Sequence, residues 1–271
     1  MKLIRVFPRR TSCTPVDDLA FVGDPPFYAE GDTVHISVAF TWDLPEAERL
    51  EKEWRHVAPV TIGGPATGMR GDEFVAGRYM KLGNVITTRG CYRRCWFCQV
   101  WRREGKVREL PIAEGWRVHD DNLLACSEHH IRDVFAMLER QAHKAEFASG
   151  IEAARLKPWH VELMWKLRPD QIYCAYDTAG DLEPLVEAGK LLRAAGFTTS
   201  HHLRAFVLIG YPKDTIADAE KRLRQCYVAG FLPFAMLWRD QEGSEPNHEW
   251  KRFSRVWCRP ALTRAHLKTI Q

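Results

Sequence analysis

The sequence predicts an α/β protein built on a largely parallel sheet, with a smaller α/β segment in front of it. Three observations carry that reading. From Asn84 onward, β-rich stretches alternate with amphipathic helical ones, the pattern of strands joined by right-handed crossovers. The segment Leu203 to Gly210 (LRAFVLIG) is almost entirely apolar, as expected of a strand covered on both faces. Ahead of both, a β-α-β piece closes on Gly63-Gly64, residues that turn tightly or admit close backbone approach. Alternation alone leaves the sheet either curled into a barrel or open.

Each element has its own reason. Val34 to Trp42 (VHISVAFTW) is rich in β-branched and aromatic residues and is predicted as a strand. Leu44 to Trp54 (LPEAERLEKEW) has high helix propensity, a proline near its start and charges on its outer face. Pro59 to Gly64 is a short second strand. Asn84 to Thr88 (NVITT) is strand-like and runs into a cysteine-rich loop, and WRVHDDN holds a further short strand. Ser127 is placed to cap a helix with Ile131, Val134, Phe135 and Leu138 on one face. AEFAS is a strand followed by a helix over Trp159 to Leu167, and QIYCAYD a strand followed by a helix marked by Leu182, Leu185, Val186 and Leu192. Asp214 is the expected cap of a helix burying Ile216, Ala219, Leu223 and Cys226. LPFAMLW gives one more strand before an aromatic, basic tail.

Bulk properties narrow the class. A chain of 271 residues buries a substantial core. Hydrophobic residues at 45% and charged residues at 27% are ordinary for a globular protein. No apolar run is long enough to cross a bilayer, and MKLIRVFPRRTSC lacks the apolar stretch of a secretory signal, so a cytoplasmic, non-membrane protein is expected. A net charge of +4 is too small to imply a nucleic-acid partner by itself. Of eight cysteines, three crowd into Cys91–Cys98 and five are scattered, which fits one local metal site better than a disulfide framework.

That site is RGCYRRCWFCQ, a C-x3-C-x2-C arrangement directly after a strand. Three thiolates on one short loop can wrap a compact metal centre, and thiolates are the natural ligands of iron–sulfur clusters. Arg89, Arg93 and Arg94 favour their ionised form. Three cysteines on a [4Fe–4S] cube leave one iron open to a ligand. Zinc with a fourth ligand from elsewhere and a metal-free redox thiol loop are the competing readings. Cys174 within a strand and Cys226 on an apolar helical face read as small buried hydrophobes.

The spacing of Cys91, Cys95 and Cys98, with the aromatic Phe97 before the last, resembles the motif of the radical S-adenosylmethionine (radical SAM) superfamily. The resemblance implies a partial (β/α)6 TIM-like barrel over residues 83–240, after an α/β segment at 1–82 and before a tail at 241–271. It implies an enzyme whose three cysteines bind a [4Fe–4S] cluster, with S-adenosyl-L-methionine chelated to the fourth iron. Reductive cleavage of that cofactor to a 5′-deoxyadenosyl radical, followed by hydrogen abstraction from an organic substrate, is the implied chemistry. An external one-electron donor such as flavodoxin or ferredoxin is the implied partner. HDDNLL resembles the acidic end of the second core strand, placing Asp121 nearest the methionyl amine. ASGIEAARL resembles the segment after the third strand, placing Glu152 and Arg155 near the pocket. FVLIGYPKDT resembles the segment beside adenine and leaves Gly210 as its best residue, although Phe206 and Lys213 depart from the family form. Asp177, at the end of an apolar strand, is a further candidate for the cavity. FTWDLPEAERL followed by VTIGGPATG resembles a cut-down cobalamin-binding domain. It lacks the Asp-x-His-x-x-Gly ligand sequence, and His35 is isolated within a strand, so no bound cobalamin is expected.

The alternative is a metal-binding structural or electron-transfer protein that contacts nucleic acid through the basic, tryptophan-bearing run Arg89 to Arg108. The same run tilts the enzyme reading slightly towards a nucleotide or nucleic-acid substrate.

Overall fold

The computed structural model describes residues 2–71, 73–198 and 202–269. It divides into two compact units, Met1–Gly115 with Gln241–Gly243, and Trp116–Asp240 with Ser244–Gln271. Among the described residues no helix is long and apolar enough to cross a membrane.

The first unit is built on a four-stranded sheet. Strands β1 (Leu3–Phe7), β2 (Ala20–Val22), β3 (Thr33–Ser37) and β4 (Val60–Gly63) lie in the order β2-β1-β3-β4, all parallel. Helix α1 (Leu44–Trp54) makes the crossover from β3 to β4 and has the predicted limits. Its Ala47, Leu50 and Trp54 are spaced three and four apart, one helical face, and bury against Ile4, Val6, Val34 and Ile36. Two corrections apply here. The strand expected over Val34 to Trp42 ends at Ser37, because Thr41–Asp43 turns as a 3-10 helix leading into α1. Strands β1 and β2 had no sequence prediction: β1 is interrupted by Arg5, whose guanidinium instead donates to the carbonyls of Gly77 and Arg78.

The unit continues through β5 (Asn84–Val85), β6 (Thr88–Arg89), helix α2 (Val100–Arg103) and β7 (Arg108–Glu109). The expected single strand NVITT is therefore two, split at Ile86-Thr87, and β6 pairs antiparallel with β7.

In the second unit β8 (Arg117–Val118), β9 (Glu146–Phe147), β10 (Gln171–Ala175), β11 (Leu203–Ile209) and β12 (Leu232–Leu237) lie side by side in sequence order, all parallel. Helices α3 (Glu128–Glu139), α4 (Pro158–Leu167), α5 (Leu182–Ala194) and α6 (Ile216–Val228) separate them. Ser127 caps α3 by accepting from His130 N–H, as predicted. The cap of α6 is Thr215, which accepts from Asp218 N–H; the carboxylate of Asp214 is engaged elsewhere. The region expected as a tail carries α7 (His248–Trp257) and α8 (Pro260–Thr269).

The five strands present two different faces. Ile172, Cys174, Ala205 and Val207 are fully buried, as is Cys226 on α6, and burial pushes the Cys174 thiol up to about 12. On the opposite face Tyr173 stacks on Phe206 at 4.5 Å, and Phe206 meets Phe234 edge-on at 5.8 Å.

Candidate functional site

The cysteine loop spans β6 to β7, and its base is closed by several independent contacts. The register sets Thr88 opposite Glu109 and Arg89 opposite Arg108. Gly90 then has φ +89°, and a Cβ there would collide with the Lys106 carbonyl, so only glycine fits. Cys91 N–H donates to the Gly105 carbonyl at 3.1 Å. Within the loop, Cys98 N–H donates to the Cys95 carbonyl at 3.1 Å, and the same oxygen accepts from Trp101 Nε1 at 3.1 Å. Arg94 and Arg102 lie over the Trp101 ring at 5.9 and 4.8 Å. Phe97 meets Trp96 edge-on at 5.4 Å, while Trp96 and Tyr92 are half exposed.

The residue that organises the base is Glu104, only 3% exposed. Its Oε1 accepts from Arg103 Nε at 2.8 Å and its Oε2 from Arg108 at 2.9 Å. Both oxygens lie 3.2 Å from Gly71 N–H. Burial raises the pKa of this carboxyl, but the Arg103 hydrogen bond, the Gly71 amide and the charge of Arg89 outweigh it and leave the group below its usual range. Sequence reasoning passed over Glu104. The available signal was that it is the one acid in the run Arg89 to Arg108.

Cys91, Cys95 and Cys98 are each partly buried, and none is in a disulfide. Among the described residues no group of three or more His, Cys, Asp or Glu side chains is gathered to hold a metal ion. The donor set is of the thiol type that iron–sulfur clusters take, although it is not gathered around one point. It consists of three thiols on one anchored loop, partly open to solvent, and a cluster takes each thiolate on a separate iron.

The remaining candidates sit at the C-terminal ends of strands in the second unit. After β8, Asp120 and Asn122 are buried and Asp121 is half-buried. Asn122 Nδ2 donates to Glu152 Oε2 at 2.8 Å, and Arg155 Nε lies 3.4 Å from the same oxygen. The fold therefore brings Asn122, Glu152 and Arg155 together, with Arg155 still partly exposed. Asp177 Oδ1 accepts from Leu208 N–H at 2.9 Å, tying the end of β10 to β11. Gly210, at φ +71°, donates its N–H to Asp214 Oδ2 at 2.8 Å, and Arg222 binds that same oxygen at 2.8 Å. A Cβ on Gly210 would lie 2.9 Å from Leu237 Cδ1, so this glycine has a packing reason of its own.

A solved structure with a similar fold is that of TsrM from Kitasatospora setae, a radical S-adenosylmethionine methyltransferase with cobalamin and a [4Fe–4S] cluster bound. The match has a TM-score of 0.60 and 11% identity, covering 87% of this chain and 74% of that one. The parallel strand and helix arrangement thus resembles a radical-SAM-like (β/α) topology. At this identity the likeness is one of fold. No protein-family model matches the sequence, and no curated protein matches it.

Proposed function

We propose that this chain is a radical SAM enzyme acting on an unidentified organic substrate, with residues 83–240 as its catalytic core. The observation that carries the reading is the C-x3-C-x2-C loop, held at its base by Gly90 and Glu104 in a chain whose fold resembles that of TsrM. Cys91, Cys95 and Cys98 hold a [4Fe–4S] cluster. When bound, the cluster and S-adenosylmethionine together supply one-electron cleavage of the sulfonium and a 5′-deoxyadenosyl radical for hydrogen abstraction.

The chain's own groups bind and orient. Phe97, edge-on to Trp96, lines the cofactor side of the loop. Asp121 accepts from the methionyl ammonium. Arg155, balanced by Glu152 and only partly buried, pairs with the methionyl carboxylate. Gly210 allows close approach of adenine beside β11, and Asp177 fixes the neighbouring strand end. An external donor such as flavodoxin or ferredoxin supplies the electron.

Anaerobic reconstitution tests this. Iron and sulfide in cluster proportion, with 5′-deoxyadenosine formed on reduction, are the expected results. Alanine at Cys91, Cys95 or Cys98 should abolish both. Full cluster content in Cys95→Ala, or one equivalent of zinc with no iron, would defeat the reading.

A further inference from the structure

The aromatic face of the second unit's sheet carries a charge that the proposed reaction does not use. Arg204, second residue of β11, is only 7% exposed. Its guanidinium carbon lies 5.7 Å from the Tyr173 ring and 5.8 Å from the Phe234 ring. Its Nε is buried without a hydrogen-bond partner, and no carboxylate among the described residues pairs with it. Glu146, on the neighbouring strand, is taken by Arg117 at 3.0 Å. Burial and the nearby positive charge of Arg264 on α8 both disfavour the charged guanidinium.

A buried guanidinium without a counter-charge is costly, whereas cation–π contact offsets only part of the lost hydration. The arginine fork matches the two oxygens of a carboxylate or phosphate. We propose that Arg204, walled by Tyr173 and Phe234, anchors a binding site for the carboxylate or phosphate group of a small molecule. Arg204 precedes Gly210 by six residues along an extended strand, so about 20 Å separates those two residues. None of the residues assigned to S-adenosylmethionine is among those that wall the site, and the proposal stands whether or not the radical chemistry does.

The test is thermal unfolding of the full-length protein titrated with inorganic phosphate and, separately, with benzoate, at ionic strength fixed with sodium chloride. One or both should raise the melting temperature, because an anion bound only by the folded state stabilises it. Phosphate alone would mark a phosphate ligand, and benzoate alone a carboxylate. Arg204→Met, which fills the volume without the charge, should fold and respond at least roughly tenfold more weakly. Its iron and sulfide content after reconstitution should match that of the wild type. Should Arg204→Met not fold, Arg204→Lys serves: it keeps the charge, loses the fork and should also bind more weakly. No response to either anion in the wild type, an equal rise with sodium chloride alone, or an undiminished response in the folded variant would each overturn the proposal.

Discussion

His160 shows what burial does to one titratable side chain. It is 2% exposed in the first turn of α4, accepts from Lys157 N–H through Nδ1 at 3.0 Å, and lies against the Trp159 ring at 3.8 Å, tilted by 51°. Burial, assisted by the charge of Lys157, lowers its pKa from 6.5 to about 4. The unfolded chain therefore takes up a proton before the folded one does. The neutral imidazole contributes its full stability above pH 6.5, and that contribution is lost as pH falls through about 4. Over this window one proton costs at most ~1.4 kcal/mol per pH unit. Urea midpoints measured from pH 7 downward should fall for the wild type and fall less for His160→Asn, which keeps an acceptor for Lys157 N–H. Parallel pH profiles would assign the acid sensitivity to other groups. Asp121 bears on the proposed cofactor instead. A hydrogen bond to a charged group is worth about 1.5–3 kcal/mol, so Asp121→Asn should weaken S-adenosylmethionine binding roughly ten- to a hundredfold with iron content unchanged. Titration of the reconstituted variant, followed by the cluster's electron paramagnetic resonance signal, checks this. Wild-type affinity would return Asp121 to the role of a turn residue.

At the scale of elements, the cysteine loop depends on a neutralised base. Glu104→Gln keeps the shape but leaves Arg103 and Arg108 without their shared carboxylate, and breaking a buried pair typically costs about 3–5 kcal/mol. The discount here is large, since Arg108 is partly exposed. Cluster uptake on reconstitution should fall clearly, and tryptic cleavage within 89–108 of the unreconstituted protein should quicken. Unchanged cleavage would show that β6 and β7 hold the loop without Glu104. The elements differ in how legible they were. Helix α1 was readable because its limits, propensity and apolar spacing agree, and Ser127 because a capping hydroxyl acts locally. Thr215 took the place expected of Asp214 because Asp214 is drawn to Gly210 and Arg222, eight residues away in one case, which no local rule encodes. Strands β8 and β9, two residues each, fall inside WRVHDDN and AEFAS, where strands were expected, but both are shorter than those stretches. The cysteine triplet was plain because its ligands are contiguous, whereas Asn122 meets Glu152 only through the fold.

The molecule as a whole joins a four-stranded parallel unit to a second parallel α/β unit, and the fold likeness to TsrM covers 87% of the chain. TsrM carries cobalamin in the solved structure. In this chain the Asp-x-His-x-x-Gly ligand sequence is missing, and His35 Nδ1 lies 2.5 Å from the Tyr79 hydroxyl. Protein incubated with excess cobalamin should therefore leave a gel-filtration column without cobalt. Stoichiometric cobalt would point to a cofactor held without a histidine ligand and shift the proposed chemistry towards methyl transfer.

Parallel pairing has a temporal cost. Strands β1 to β4 and β8 to β12 contain no hairpin among their pairings, so each ladder closes only after an intervening segment has been ordered. Chains of this kind pair their strands slowly and expose strand edges while they do so. A nascent polypeptide would dwell in partly assembled states with its thiols open to oxidation. Slow synthesis at low temperature and under reducing conditions should therefore raise the soluble yield more than any change of promoter strength.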